Sequence, residues 1–148
     1  MGEPRVRVFF YGSYMNPGVL RDVGIVPERF DVARLDGYDV RIGPRANLVP
    51  SQQHCVYGVL IEATHDELIR LYEHAKDALG ETYLPHPVLT QAESGGWFPA
   101  LCYIASSMEP QRADPAYVER ITKAARDFEF PLWYIERLES AGISDEPQ

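Results

Sequence analysis

Val6–Met15, VRVFFYGSYM, is the stretch from which the rest of the chain is read. Val6 to Phe10 is a nearly continuous apolar run, the pattern of a central strand rather than a half-exposed edge. It stops abruptly at Tyr11-Gly12-Ser13. Asn16 and Pro17 then provide a cap and a first-turn proline for a short helix over Pro17 to Val23. Glycine lets backbone N–H groups approach a ligand, and serine adds a hydroxyl. A loop aimed by a rigid strand is where binding residues concentrate. The same tripeptide also serves as an ordinary strand-to-helix turn.

Beyond this start the chain alternates extended and helical signals. Pro27 to Asp31 reads as a turn, and Ala33 to Ile42 as a strand with a bulge or bend at Gly37. Gly43, Pro44, Asn47 and Pro50 predict an ordered loop, from which Arg45, Asn47 and Ser51 either line a site or act as surface turn residues. Cys55 to Ile61 is the next strand. Thr64 and Glu67 have capping-box spacing at the head of a helix whose Leu68, Leu71, Tyr72 and Ala75 share one face. Ala75 therefore faces the core. Glu73 lies roughly 140° from Leu68 at about 100° per residue, on another face. Gly80 falls beyond the helix end.

Tyr83 to Thr90 is extended. Pro85 and Pro87 place it at a sheet edge or in a bulge, because each lacks a ladder N–H. Gly95-Gly96 is a turn, and Trp97 to Ala105 is a further strand. Asp114-Pro115 starts a helix to about Phe128, with Val118, Ile121, Ala125 and Phe128 as its apolar stripe. Pro131 opens a second helix, Leu132 to Ala141, closed by Gly142 and followed by a polar tail from Ser144. The order βαββαββαα, without internal repeats, predicts one domain over residues 1–148. Its class is α+β, a closed or half-closed mixed sheet with helices packed outside.

The 148 residues are 45% hydrophobic and 24% charged, a composition that suits a folded globular chain with a sizeable core. Fourteen Lys and Arg stand against 22 Asp and Glu, giving a formal charge of -8. This excludes a basic nucleic-acid footprint. No apolar run approaches the roughly 18 residues of a membrane span, and residues 1–6 carry no secretory leader pattern, so a cytoplasmic location is expected. Cys55 and Cys102 sit in apolar surroundings and read as buried free thiols. His54, His65, His74 and His86 have no metal-site spacing, and His65 and His74 read as solvated helix residues. There is no GxSxG elbow, dinucleotide fingerprint or phosphate loop. The remaining groups with acid–base potential are Glu73 and Glu81, at either side of the middle helix's end. A carboxylate in a partly dry cleft has its pKa raised and can act as a base.

Taken in order, the segments resemble the gamma-glutamylcyclotransferase-like (AIG2-like) family. Tyr11-Gly12-Ser13-Tyr14-Met15 resembles its YGSNL loop, and Asn47-Leu48-Val49-Pro50 with Val56-Tyr57-Gly58-Val59-Leu60 its second segment. Thr64 to Leu71 resembles the helix that follows. Tyr83 with Val88 resembles its tyrosine-led strand, and Phe130-Pro131 with Tyr134 and Leu138 its closing helix. The resemblance spans Val8 to Ser140. It implies a small mixed β-barrel with flanking helices, and a small-molecule substrate whose glutamyl carboxylate is held by the YGS amides. A glutamate would take a proton from the substrate's α-amine. That amine would then attack its own γ-carbonyl, closing 5-oxoproline and releasing the attached amine, with no cofactor. Closing a five-membered ring holds attacker and electrophile together, and donors at the carbonyl oxygen stabilise the developing oxyanion.

Two departures qualify what the resemblance implies. Tyr14 replaces an asparagine, and the family glutamate falls on Ala75. Catalysis then passes to Glu81 first and Glu73 second, with Tyr11, Gly12, Ser13, Tyr14 and Met15 forming the substrate loop and Tyr83 orienting the substrate. The competing expectation is a non-catalytic member that binds a small carboxylate or a protein partner. A different ligase- or lyase-like step is a third class. Neither a metal nor a nucleic-acid or membrane partner is expected.

Overall fold

The computed structural model describes residues 4–141. The expected closing glycine, Gly142, and the polar tail lie outside them. The element order is β1 (Arg5–Phe10), a 3₁₀ turn (Ser13–Met15), α1 (Pro17–Asp22), β2 (Asp31–Ile42), β3 (Ala46–Thr64), α2 (His65–Ala78), β4 (Leu84–Ala92), β5 (Trp97–Ile104), α3 (Pro115–Asp127) and α4 (Leu132–Ser140). This is the expected α+β order. The strands close in the sequence β1-β3-β2-β4-β5. All pairs are antiparallel except β1–β5, where Val8 lies opposite Leu101 in a short parallel seam.

The buried run at the end of β1 results from pairing on both sides. Val8, Phe9 and Phe10 lie opposite Ile61, Leu60 and Val59 of β3. Gly58 allows the closest approach: a Cβ there would stand 2.3 Å from the Phe10 carbonyl oxygen and 2.6 Å from the Phe9 ring. Phe9, Met15, Leu20, Ile61, Tyr117 and Tyr134 are among the largest fully buried side chains.

The loop expected from Gly43 to Pro50 is much shorter. Only residues 43–45 turn, and β3 begins at Ala46. Asn47 pairs with Arg41 and Pro50 with Tyr38, and a register shift between Asp36 and Tyr38 separates these pairs from Asp36–Cys55. Gly37, with φ +89°, makes the expected bulge. Long-range pairing here overrides weak local strand propensity. The edge expectation for the proline-bearing strand holds over most of its length. β4 pairs with β5 from Leu84 to Gln91, but with β2 only at Gln91 and Ala92.

The helix starts follow their sequence signals. Asn16 accepts from the Gly18 amide, and Asp114 from the Ala116 amide, each with a proline in the first turn. At α2 both halves of the capping box form, Glu67 N–H to Thr64 Oγ1 at 3.2 Å and Thr64 N–H to Glu67 Oε1 at 2.8 Å. Leu68, Leu71 and Ala75 are the buried residues of α2. In α3 the buried set is Tyr117, Ile121, Thr122, Ala124 and Ala125, while the expected Val118 and Phe128 are only half-buried. Helix α4 is clasped to β2 by Arg137, which donates to both oxygens of buried Asp39. Its aromatic residues extend a cluster around Tyr57, Phe130 and Tyr134. Cys55 and Cys102 are free; Cys102 is buried, but Cys55 is only half-buried.

Candidate functional site

A cavity opens where β1 gives way to the 3₁₀ turn, with α2 forming its opposite wall. The turn contributes Tyr11, Gly12, Ser13 and Tyr14, and α2 contributes Leu71, Tyr72 and Ala75. Leu79, Tyr83, Tyr103, Tyr117, Ala46, Phe9 and Phe10 complete it. Among the described residues, no acidic side chain lines this cavity.

Most of its phenols are held by the fold. Tyr11 donates to the Tyr103 carbonyl at 2.7 Å. Tyr83 donates to the Ala46 carbonyl at 2.6 Å, and the Ala46 amide donates to the Tyr117 oxygen at 2.9 Å. Two tyrosines thus grip both polar atoms of one residue at the start of β3. The Tyr117 hydroxyl also meets the Ser13 side chain. Burial pushes the Tyr11, Tyr14, Tyr83 and Tyr117 phenols up from their ordinary pKa near 10. These groups remain neutral hydroxyls near pH 7.

Gly12 is required by packing as well as by any ligand, since a Cβ there would lie 2.7 Å from the Ala46 Cβ. The following turn has no side-chain cap. Tyr14 crosses to the α2 wall and shares a 2.8 Å hydrogen bond with His74 Nδ1. Its ring lies 5.8 Å from both the Phe10 and His74 rings, and it packs on Ala75 and Tyr83. His74 is therefore half-buried and partnered rather than a solvated helix residue.

The structure brings together Tyr11, Gly12, Ser13, Tyr14 and Tyr83 of the sequence-derived set. Met15 instead points into the core, fully buried. Glu73 is exposed, and neither it nor Glu81 lines the cavity. Glu81 is nevertheless close. Its amide donates to the Ala75 carbonyl at 3.3 Å, and its charge helps hold the Tyr83 phenol up, after burial and Tyr117. Ser51 is engaged elsewhere, with His54 at 2.6 Å. Asn47 bonds both backbone polar atoms of Ala105. Arg45 stands 4.9 Å over the Tyr117 ring, at the rim of the site. Tyr117 itself was absent from the sequence-based set, although its position four residues before Ile121 puts it on the buried stripe of α3.

A family model described as "Gamma-glutamyl cyclotransferase, AIG2-like" matches residues 8–122, and the chain belongs to this family. No curated protein matches it. Among solved structures, one described as "Gamma-glutamyl cyclotransferase" is similar at TM-score 0.80 and 20% identity, covering 98% of this chain and 92% of that one. An uncharacterized protein from Homo sapiens is similar at TM-score 0.79 and 22% identity, over 99% and 93% of the two chains. A yeast gamma-glutamyl cyclotransferase described as specific to glutathione reaches TM-score 0.60 at 12% identity, over 90% and 93%. At these identities the likeness is one of fold. No helix among the described residues is long and apolar enough to cross a membrane.

Proposed function

We propose that the cavity between the Tyr11–Tyr14 turn and α2 binds a small carboxylate and does not itself perform the family's proton transfer. One observation carries this reading. Ala75, only 3% exposed, forms the wall on which the family glutamate falls, and no acidic side chain joins it among the described lining residues. Cyclisation needs a base in reach of the substrate amine, and a methyl group cannot accept a proton. The amides of Gly12 and Ser13 would hold the ligand's carboxylate, with Tyr83 shaping the floor. The free thiols Cys55 and Cys102 fit action in a reducing, cytoplasmic compartment.

A second reading keeps the chemistry, as cleavage of a γ-glutamyl amine or amide with release of 5-oxoproline and Glu81 as the base. The observation in its favour is the Glu81–Ala75 backbone hydrogen bond, which brings a carboxylate-bearing residue beside the alanine. Two measurements on one preparation separate the readings. Under the first, 5-oxoproline shifts the Gly12 and Ser13 amide resonances, while γ-glutamyl amines are recovered intact after long incubation. Steady release of 5-oxoproline would establish the second reading, and unmoved amide resonances at saturating ligand would remove the first.

A further inference from the structure

The polar inventory of the cavity defines its ligand more narrowly than a carboxylate alone. The phenols of Tyr11, Tyr83 and Tyr117 bond to backbone groups of the barrel, and Tyr14 is engaged by His74. Tyr72 and Tyr103 are the remaining lining phenols. The rest of the surface is largely hydrocarbon and aromatic, with Phe10, Leu71, Ala75 and Leu79 facing the same space. Charges of both signs act on the lining phenols from outside the cavity: Glu81 on Tyr83, and Arg45 on Tyr14, Tyr83 and Tyr117, but neither side chain lines it. Arg45 lies over the Tyr117 ring, and its charge opposes the rise in the Tyr14, Tyr83 and Tyr117 phenols caused by burial.

An ammonium group taken into such a space loses its water and meets no carboxylate among the described lining side chains. An apolar or aromatic body instead gains from burial against these walls. We propose that the ligand is a monocarboxylate with an apolar or aromatic body and no free ammonium group, not an α-amino γ-glutamyl compound. This rests on the carboxylate-binding reading above, and extends it to the remainder of the molecule.

A matched pair tests the inference on the unaltered protein. 3-Phenylpropanoate and phenylalanine share one carbon skeleton and differ by the α-ammonium. Calorimetry should give 3-phenylpropanoate an affinity at least tenfold above phenylalanine and above 5-oxoproline, with resonance shifts at Ser13 and Ala75. The A75E variant, which adds an anion to the wall, should reduce the ratio between the pair. The pair measured on the unaltered protein stands whether or not that variant folds. Equal affinity for the two, or tighter binding of phenylalanine, overturns the inference. If 5-oxoproline still binds in that case, the carboxylate site survives and only the claim about the body and amine fails. If none of the three carboxylates binds, both readings fail together.

Discussion

Glu81 donates its backbone N–H to the carbonyl oxygen of Ala75 at 3.3 Å, folding the chain after α2 back onto the last turns of that helix. The contact sets up a direct comparison of carboxylates. If the chain turns over γ-glutamyl amines, E81Q should lower the rate about 100-fold or more, the usual scale for losing a general base. E73Q, at an exposed position away from the cavity, should leave it unchanged. Steady-state assays of 5-oxoproline release decide this. A rate insensitive to E81Q removes Glu81 from the mechanism.

Gly58 lies where β1 and β3 approach most closely. G58A would force a methyl group against the Phe10 carbonyl oxygen and the Phe9 ring, both fixed in the core. We expect a loss of about 3 kcal/mol or more in urea unfolding. G37A probes a different effect, since no atom lies within 4 Å of a Cβ there and only the positive φ resists the substitution. Its smaller cost, about 1 kcal/mol, should distinguish steric overlap from backbone strain. Equal losses at both positions would contradict the close-approach argument.

Asn47 connects β3 to the end of β5. Its Nδ2 donates to the Ala105 carbonyl at 2.7 Å, and its Oδ1 accepts from the Ala105 amide at 3.0 Å. Ala105 is buried. N47D retains the acceptor but loses the donor, leaving the Ala105 carbonyl with only the Met108 amide, at 3.2 Å, and facing a carboxylate. The expected cost is about 1–3 kcal/mol, and it should shrink as acid protonates the new carboxyl and restores a donor. Denaturant midpoints at pH 7 and pH 4, each referred to the unaltered chain, test this.

Alkaline pH should unfold the protein through its buried hydroxyls and thiol. Burial raises the Tyr11, Tyr83, Tyr117 and Tyr134 phenols above 10.0, and pushes Cys102 from 9.0 up to about 12. In the unfolded chain these groups ionise at their ordinary values, while the folded chain keeps them protonated. The unfolded state therefore binds fewer protons, and stability falls as pH rises. The stabilisation is complete below about pH 9 and is lost progressively above it. Tm should drop steadily from pH 9 to 11, with part of the tyrosinate absorbance at 295 nm appearing only with unfolding. A flat Tm and a single early phenol titration would be inconsistent with these burials.

The element order was legible because its signals are local. Thr64 with Glu67, Asn16 with Pro17 and Asp114 with Pro115 each define a helix start within a few residues, and each forms its expected cap. The core position of Ala75 followed from helical periodicity alone. The length of β3 was not legible, because Asn47 and Pro50 have weak strand propensity. Their place is set by Arg41 and Tyr38 across the ladder and, for Asn47, by Ala105. The Tyr14–His74 contact was hidden for the same reason, joining residues 60 positions apart from a turn and a helix. Tyr117 left a signal in its spacing to Ile121, but its grip on Ala46 depends on tertiary packing.

The clasp between Arg137 and Asp39 sets a timetable for the chain as it is made. The two residues are 98 positions apart. At about 5–20 residues added per second, Asp39 waits roughly 5–20 s for its partner. Until then a carboxylate destined for the interior has no guanidinium, and the aromatic surface around Tyr57 has no α4 to cover it. The β2–β3 hairpin is therefore made well before the helix that covers its aromatic face and pairs its buried carboxylate.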